Sequence, residues 1–196
     1  MRLDEVDNVA DDEQFSDGLA AGESLADVEF DACTFTGGSF VRAHLVRVTF
    51  TECTFEGVDL TLTDLTDSRF VGCAFRGSKL LGLAWSSTRS ATVLDPNRFE
   101  DCRLDDASFT GTDLTGATFA DCRLRDADFG DADLRRATFA RCDLSGARFG
   151  GADLRDATLA DCPALVLDPR ETRVRGLRVD PASSAGLLAP FGVAVA

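Results

Sequence analysis

Residues 132–162 read ADLRRATFARCDLSGARFGGADLRDATLADC, and a large apolar residue returns there at every fifth position. Two residues before each large residue stands a small one, Ala or Cys. An α-helix repeats its apolar face about every 3.6 residues and a β-strand every second residue. Neither element accounts for a period of five, which instead predicts a short extended segment followed by a turn, repeated along a coil.

The period of five runs through most of the chain, in two series separated by one break. Its large residues are Leu25, Phe30, Phe35, Phe40, Leu45, Phe50, Phe55, Leu60, Leu65, Phe70, Phe75, Leu80 and Trp85, then Leu94, Phe99, Leu104, Phe109, Leu114, Phe119, Leu124, Phe129, Leu134, Phe139, Leu144, Phe149, Leu154 and Leu159.

The seven cysteines show how many segments make one coil. They are twenty residues apart within each series, at Cys33, Cys53 and Cys73 and then at Cys102, Cys122, Cys142 and Cys162. Twenty residues hold four segments, whereas a three-sided coil would favour a period of about fifteen or eighteen. The spacing therefore predicts an all-β solenoid with four walls and a coil spacing of about 4.8 Å, the distance between parallel strands.

Like residues twenty apart are expected to stack in the interior of this solenoid. The candidate core columns are Phe30, Phe50 and Phe70; Phe35, Phe55 and Phe75; Phe109, Phe129 and Phe149; and Leu114, Leu134 and Leu154. The small position two residues earlier is held by Ala, Ser, Thr, Val or Cys, so we interpret the cysteines as small buried residues rather than as a disulfide framework or a metal site.

The repeat A-D-L-x-x, as in Ala132-Asp133-Leu134 and Ala152-Asp153-Leu154, resembles the pentapeptide repeat family over about residues 25–179. The resemblance implies a right-handed quadrilateral β-helix. Together with the period it predicts about seven to eight coils and a short C-terminal capping helix.

Three regions follow from these patterns. Residues 1–22 are acidic and are expected to be disordered or to cap the stack loosely. Residues 23–179 form the β-helix, with an irregularity at 86–98. Residues 180–196 form a C-terminal helix and an apolar tail.

The irregularity leaves two alternatives open. A one-residue deletion would kink the rod and move the cysteine column to the opposite face, whereas a nine-residue excursion between Trp85 and Leu94 would keep the column in place. We expect a continuous but irregular coil that carries a short bulge.

The C-terminal segment is expected to cap the last coil. Asp180 is a plausible N-cap, with Pro181 at the first helical position. The apolar residues that follow exceed what a cap needs, and we expect them to form a homodimer interface about a two-fold axis. The candidate interface residues are Leu187, Leu188, Phe191, Val193 and Val195.

The sequence offers little for catalysis. His44 is the only histidine and has no obvious partner to make it a base, tyrosine is absent, and no phosphate-binding loop is present. We expect neither an enzyme nor a metal or other cofactor. No apolar run reaches membrane-spanning length and the start of the chain is not a secretory signal, so no membrane contact and a cytoplasmic location are expected.

The formal net charge of −14 argues against direct nucleic-acid binding and favours a basic partner. The first 31 residues alone hold eleven acidic residues and one basic residue. Further along, carboxylates recur in outward columns. The candidate partner-binding residues are Asp113, Asp133 and Asp153 in one column, and Asp101, Asp121 and Asp161 in a second that Arg141 interrupts.

These columns have two interpretations. Stacked like charges repel, so an acidic column lowers the stability of the fold. Its presence would then indicate that these carboxylates bind a partner. Alternatively, each Asp bonds to a neighbouring turn, with Arg135, Arg136 and Arg155 close enough to compensate its charge.

Within the family, three stretches point to a subgroup. The tail VRGLRVDPASSAGLLAPFGVAVA (174–196) is similar to the C-terminal segment of the Qnr and MfpA proteins, and GESLADVEFDACTF (22–35) and KLLGLAWSS (79–87) resemble albicidin-resistance members. The resemblance implies a DNA mimic whose partner is DNA gyrase or topoisomerase IV, which it inhibits or protects from poisons. The alternative is a structural or scaffolding solenoid with another protein partner.

Overall fold

The computed structural model of the chain describes residues 2–88, 96–163 and 165–192. They form a right-handed quadrilateral β-helix of about eight parallel coils with a short C-terminal helix. The strands are β1 (Val9–Asp11), β2 (Gln14–Phe15), β3 (Ser24–Ala26), β4 (Glu29–Asp31), β5 (Thr34–Thr36), β6 (His44–Val46), β7 (Thr49–Thr51), β8 (Thr54–Glu56), β9 (Arg69–Val71), β10 (Ala74–Arg76), β11 (Arg98–Glu100), β12 (Thr118–Ala120), β13 (Thr138–Ala140), β14 (Thr158–Ala160) and β15 (Arg178–Val179).

The four walls, here numbered in chain order, differ in how much regular sheet they contain. Face 1 is the nine-stranded sheet of β2, β5, β8 and β10–β15. Face 2 is held by single bridges from Ser39 to Asp143, and face 3 by β3, β6 and bridges that end at Arg148. Face 4 begins with β1, β4, β7 and β9 and continues through bridges to Arg173.

Each face ends at a corner where the backbone takes a positive φ. In one coil the four corners are Asp121, Asp126, Asp131 and Arg136, with φ between 54° and 59°. Asp tolerates this left-handed conformation better than most residues, which explains its frequency at the corners. At Gly146 a Cβ would meet the carboxylate of Asp126 one coil below, so a larger residue there would require that side chain to move.

The interior consists of the stacked columns expected from the period of twenty. Phe99, Phe119 and Phe139 lie above one another with ring centroids 4.8 Å apart and planes within 6° of parallel. Rings on opposite faces meet edge-on, as Phe129 on face 3 and Phe139 on face 1 do at 89°. All twelve residues of the four candidate core columns are buried. Stacked and edge-on contacts are both favourable aromatic geometries, so the core is one continuous aromatic and aliphatic column.

The seven cysteines are buried, unpaired thiols in the small inward position. Each points at a backbone carbonyl of the preceding coil; Cys122 Sγ, for example, donates to Phe99 O at 3.5 Å. Burial raises the pKa of the Cys33 thiol. These residues therefore pack as small interior side chains.

The irregularity at 86–98 keeps the columns in register. Phe99 pairs with Phe75, so this coil has twenty-four residues instead of twenty. Cys102 Sγ donates to Phe75 O at 3.4 Å, as the other cysteines do to the coil below them. The coil is continuous and carries four extra residues, but both alternatives for the cysteine column are wrong. Cys73 stands at the start of face 1, whereas Cys102 is in register with Ser78 at the start of face 2, so the column moves to the adjacent face. Residues 89–95, including the predicted centre Leu94, lie outside the described residues.

The coil stack begins earlier than the sequence suggested. We expected residues 1–22 to be disordered or loosely draped, but β1 pairs with β4 and β2 with β5. A 3₁₀ turn at Leu3–Glu5 precedes them, and Leu3, 2% exposed, closes the end of the core. The first coil escaped recognition because its inward residue on face 4 is the small Ala10, which stands among acidic residues.

The other end is closed by helix α1 (Pro181–Leu188) and a 3₁₀ turn at Ala189–Phe191. Asp180 caps the helix, because its Oδ1 accepts the Ser183 amide at 2.9 Å. Its Oδ2 accepts the amide of Asp161, and Ser183 Oγ accepts the amide of Cys162, so the helix start is tied to the last coil.

Truncation of a stacked ring tests the column. We expect Phe119→Ala to lower the free energy of unfolding by about 3–5 kcal/mol and Phe119→Leu by less than about 1.5 kcal/mol, since Leu159 already occupies this column. Thr118 faces the exterior, and Ala74 occupies the same register position two coils earlier. Thr118→Ala should therefore change the free energy of unfolding by less than about 0.5 kcal/mol. Urea unfolding followed by circular dichroism measures all three. Equal losses for Ala and Leu would contradict a packing role.

Candidate partner-binding surface

The first predicted acidic column lies on face 4, where Asp113, Asp133 and Asp153 are bridged in register. Their carboxylates are not free. Asp133 forms a bidentate ion pair with Arg135 and Asp153 one with Arg155, each with a closest N–O distance of 2.6 Å. Asp113 Oδ1 instead accepts the backbone amide of Thr115 at 3.0 Å. The local-bonding interpretation therefore describes this column.

Electrostatics agree with the geometry of these pairs. The Arg135 guanidinium lowers the pKa of Asp133, and the Arg155 guanidinium lowers that of Asp153. Asp153 is only 6% exposed and also has Arg173 at 3.6 Å. An ion-paired and nearly buried carboxylate offers little charge to a partner.

The second predicted column lies at the corner that follows face 1. Asp101, Asp121 and Asp161 are all exposed there and all have a positive φ. Arg141 fills the gap in the column and forms a bidentate pair with Asp121 at 2.7 Å, which lowers the pKa of Asp121. Asp101 and Asp161 form no ion pair within the described part of the chain.

Further arginines neutralise the later coils. The remaining pairs there are Asp105–Arg123, Asp143–Arg125, Asp128–Arg148 and Asp168–Arg170. Most link residues eighteen or twenty apart in sequence, which means that the arginine reaches across to an adjacent coil. Most carboxylates on the faces of the C-terminal half are thus paired with arginines, whereas corner carboxylates such as Asp106 and Asp161 form no ion pair with a described residue.

The N-terminal half of face 4 is different. Asp11 and Asp31 are in register on β1 and β4, Glu29 stands two residues before Asp31, and Asp12 and Glu52 follow at the adjoining corner. All five are exposed, and none forms an ion pair with a residue that the structure describes. The first base on this face is Arg69, in register with Thr49. We call these five residues the N-terminal acidic patch.

Sequence reasoning missed this patch although its signal was visible. The first 31 residues contain eleven acidic residues and one basic residue, which indicates an acidic surface. The same composition is also typical of disorder, and disorder was the prediction. Once these residues are placed on strands, their charges form a surface.

The predicted dimer residues lie where α1 leaves the last coil. Leu187 is partly buried against the core, whereas Leu188 is 38% and Phe191 52% exposed. The guanidinium of Arg170 stands 5.3 Å over the Phe191 ring, which holds the turn against the coil. Val193 and Val195 lie outside the described residues.

No catalytic or metal-binding arrangement is formed by the described residues. His44 Nδ1 lies 3.2 Å from Asp64 Oδ2 on face 3, a pair at the surface and outside any cleft. Residues 2–88, 96–163 and 165–192 contain no cluster of three or more His, Cys, Asp or Glu that could hold a metal ion. None of the helices within them is both long and apolar enough to cross a membrane.

Comparison with known proteins gives consistent results. The family described as "Pentapeptide repeat region" matches residues 23–93, and that described as "Pentapeptide repeats (8 copies)" matches residues 98–131 and 122–161. No curated protein matches the chain.

Solved structures resemble the whole chain at low identity. A trypsin-treated form of QnrB1, a plasmid-mediated fluoroquinolone resistance protein, is 18% identical with a TM-score of 0.58, over 96% of this chain and 98% of that one. HetL from Nostoc, involved in heterocyst differentiation regulation, is 18% identical over 95% of this chain and 89% of that one, with a TM-score of 0.38. At 18% identity the likeness to QnrB1 concerns the fold alone.

The ion pair of Asp153 predicts a pH effect. Because the pKa of Asp153 is lowered in the folded state, its contribution to stability is complete above the ordinary pKa of about 3.9 and is lost as the pH falls through the lower folded value. The loss of free energy of unfolding caused by Asp153→Asn, measured by urea unfolding, should therefore be larger at neutral pH than near pH 2.5.

Asp106→Asn is the matched control, since Asp106 is exposed and forms no ion pair with a described residue. Its effect at neutral pH should be smaller than that of Asp153→Asn. An Asp153→Asn effect that is equal at both pH values would show that the ion pair does not stabilise the fold.

Proposed function

Because the chain belongs to the pentapeptide repeat family, we propose that it is a DNA-mimicking protein that binds a type II topoisomerase, DNA gyrase or topoisomerase IV. Binding inhibits the enzyme or protects it from poisons. The protein acts in the cytoplasm as a homodimer and by binding rather than by catalysis. It contacts a protein partner and not nucleic acid.

The dimensions support this proposal. Eight coils at about 4.8 Å make a rod of roughly 38 Å, and two rods joined at their C-terminal ends would extend over roughly 75 Å. That length corresponds to about twenty-two base pairs at 3.4 Å per step. A groove that accepts duplex DNA can therefore accept a rod of this length.

The observation that carries the proposal is the N-terminal acidic patch. Asp11, Glu29 and Asp31 lie on the strands of face 4, and Glu52 lies at the corner that follows this face. All four are exposed and form no ion pair with a described residue. Carboxylates arranged in this way complement a basic surface built for phosphates. We therefore assign the main contact to this patch, with Asp101 and Asp161 as further unpaired acids.

This assignment moves the contact away from Asp113, Asp133 and Asp153. Two of those carboxylates are engaged by Arg135 and Arg155, and a partner would have to break these pairs before it could use them. Charges already neutralised by close arginines contribute little to steering a partner.

The C-terminal residues Leu187, Leu188 and Phe191 form the dimer interface in this proposal. The partial exposure of Leu188 and Phe191 at the end of the rod supports an end-to-end arrangement. An isologous contact would place the two acidic patches at the far ends of the dimer.

A second candidate function is a scaffolding solenoid with a different protein partner. The paired charges of the C-terminal half favour it, since they leave little net field for DNA mimicry. Stable association with a partner other than a topoisomerase, and none with gyrase, would distinguish it.

Neutralising the acidic patch tests the contact. We expect the triple variant Glu29→Gln, Asp31→Asn and Glu52→Gln to weaken association with purified gyrase at least about tenfold at physiological salt. Association is measured by biolayer interferometry, and function by gyrase supercoiling with and without a quinolone.

The control variant Asp106→Asn, Asp126→Asn and Asp156→Asn removes the same formal charge from exposed corners elsewhere and should alter binding less than about threefold. Equal losses in both variants would assign the effect to net charge. An absence of gyrase association by the unaltered protein would refute the function itself.

Truncation after Val179 tests the dimer. The truncated chain should sediment as a monomer, whereas the full chain sediments as a dimer. Since truncation also removes the Asp180 cap, the variant Leu188→Ser with Phe191→Ser provides a milder test and should give a folded monomer. A dimer that survives both changes would show that the interface lies elsewhere.

A further inference from the structure

Face 1 is the largest regular sheet of the molecule, with nine strands one above another. In each three-residue strand the middle side chain points into the core, as Phe139 does in β13, while the first and third side chains point outward. The outer surface of face 1 therefore has two columns. We call the residues at the first strand position, such as Thr138, the first column, and those at the third position, such as Ala140, the third column.

Two coils of this surface carry charges of both signs. On β11, Arg98 belongs to the first column and Glu100 to the third, and both are exposed. The same two positions on the last coil hold Arg178 and Asp180, whose amides both donate to the coil below. In both coils the base therefore stands in the first column and the acid in the third.

The two arginines lack a carboxylate partner. Neither Arg98 nor Arg178 forms an ion pair with any of the residues that the structure describes. Most other arginines on the later coils are paired, as Arg141 is with Asp121 at 2.7 Å. An exposed and unpaired guanidinium is available to bind a carboxylate of another molecule.

Between these charged coils the surface is neutral and stepped. Each of the three coils there has a threonine in the first column and an alanine in the third, namely Thr118 and Ala120, Thr138 and Ala140, and Thr158 and Ala160. All six residues are partly exposed. A larger side chain stands beside a smaller one at every level, so the surface can interdigitate with a second sheet of the same kind.

The charges match when two copies are related by a two-fold axis parallel to the solenoid axis. This axis leaves each coil at its own level and reverses the strand direction, so the first column of one copy faces the third column of the other. Arg98 then lies opposite Glu100 of the second copy, and Arg178 lies opposite Asp180 of the second copy. Because the contact is isologous, each of these pairs occurs twice. Each threonine of the neutral coils faces an alanine.

An alternative two-fold arrangement of the same surface is repulsive. An axis parallel to the strands and centred on β13 reverses the order of the coils and keeps the columns. It places Arg98 opposite Arg178 and Glu100 opposite Asp180, and like charges that face each other disfavour association. The pattern of charges therefore selects the parallel, side-by-side arrangement.

We propose that face 1 is a contact surface for a second copy of this chain, in which two rods lie side by side and parallel with their coils at equal levels. This inference is independent of the proposed function. It also differs from the C-terminal interface, because a lateral contact widens the assembly whereas an end-to-end contact lengthens it.

The size of the surface indicates the strength of the contact. Nine strands that are about 4.8 Å apart and about 10 Å long cover roughly 400 Å² of flat surface per copy. The pair buries roughly 800 Å², about half of a standard interface, so we expect a weak contact with a Kd on the order of 100 µM. The lateral pair is therefore dissociated at the low micromolar concentrations that suffice to measure the C-terminal contact.

Sedimentation equilibrium of the full chain at physiological salt tests the contact. The mean mass should rise by a factor of more than about 1.5 between about 10 µM and about 1 mM protein. The same rise is expected in the variant Leu188→Ser with Phe191→Ser, which removes the C-terminal contact. Small-angle X-ray scattering should show a wider cross-section and an unchanged rod length. A constant mass over this range, or a rod that only lengthens, would overturn the proposal.

Charge reversal tests the assigned pairs. Arg98→Glu places a carboxylate opposite Glu100 of the second copy, and Glu100→Arg places a guanidinium opposite Arg98 of the second copy, so each variant alone should lose the rise in mass. An equimolar mixture of the two variants restores the opposite charges and should recover the rise. Arg103→Glu on face 2 is the matched control, because Arg103 is also exposed and forms no ion pair with a described residue.

Recovery in the mixture shows that the single variants are folded, since unfolded chains would not associate in this way. A rise in mass that persists in Arg98→Glu, an equal loss in Arg103→Glu, or a mixture that does not recover would each refute the pairing. Thr138→Arg is a second variant that does not alter the charged pairs. It inserts a long side chain opposite Ala140 of the second copy and should abolish the rise without changing the circular dichroism spectrum.

Discussion

The structure depends on the stacking of like side chains one coil apart. A five-residue segment buries one large and one small side chain and has too little apolar surface to be stable by itself. When Phe55 lies 4.7 Å from Phe75 with parallel planes, each coil completes the surface of the next. The four walls, the corners with positive φ and the closed ends are the arrangements that keep this stacking continuous.

The same periodicity acts on the outside, where it brings charges into ladders. An aspartate column with a spacing near 4.8 Å is repulsive, and the later coils relieve this with arginines that reach an adjacent residue or coil. Arg135 and Arg155 pair with Asp133 and Asp153. The first coils lack such arginines on face 4. The resulting division between a neutralised half and an acidic half is the feature of the surface on which the proposed function rests.

The irregular coil is longer than the others, yet its strands stay in register with those of the neighbouring coils. Four extra residues are accommodated while Phe75 and Phe99 still pair. Asn97 repairs the ladder locally, because its side chain accepts from the Cys73 amide and donates to Phe70 O. Local side-chain hydrogen bonds thus compensate for the interruption while the stack of coils stays continuous.

The sequence by itself determined the number of walls, the core columns and the position of the cap, because in a solenoid each residue's neighbours lie at a constant sequence distance. The tertiary structure decided where the first coil begins and which carboxylates remain free. Ala10 is too small to signal a coil, and its strand is defined only by pairing with β4. An arginine can reach a residue two or twenty positions away, as Arg135 and Arg141 do. Only the folded geometry determines which of these carboxylates the arginine pairs with. It therefore also determines which charges remain on the surface.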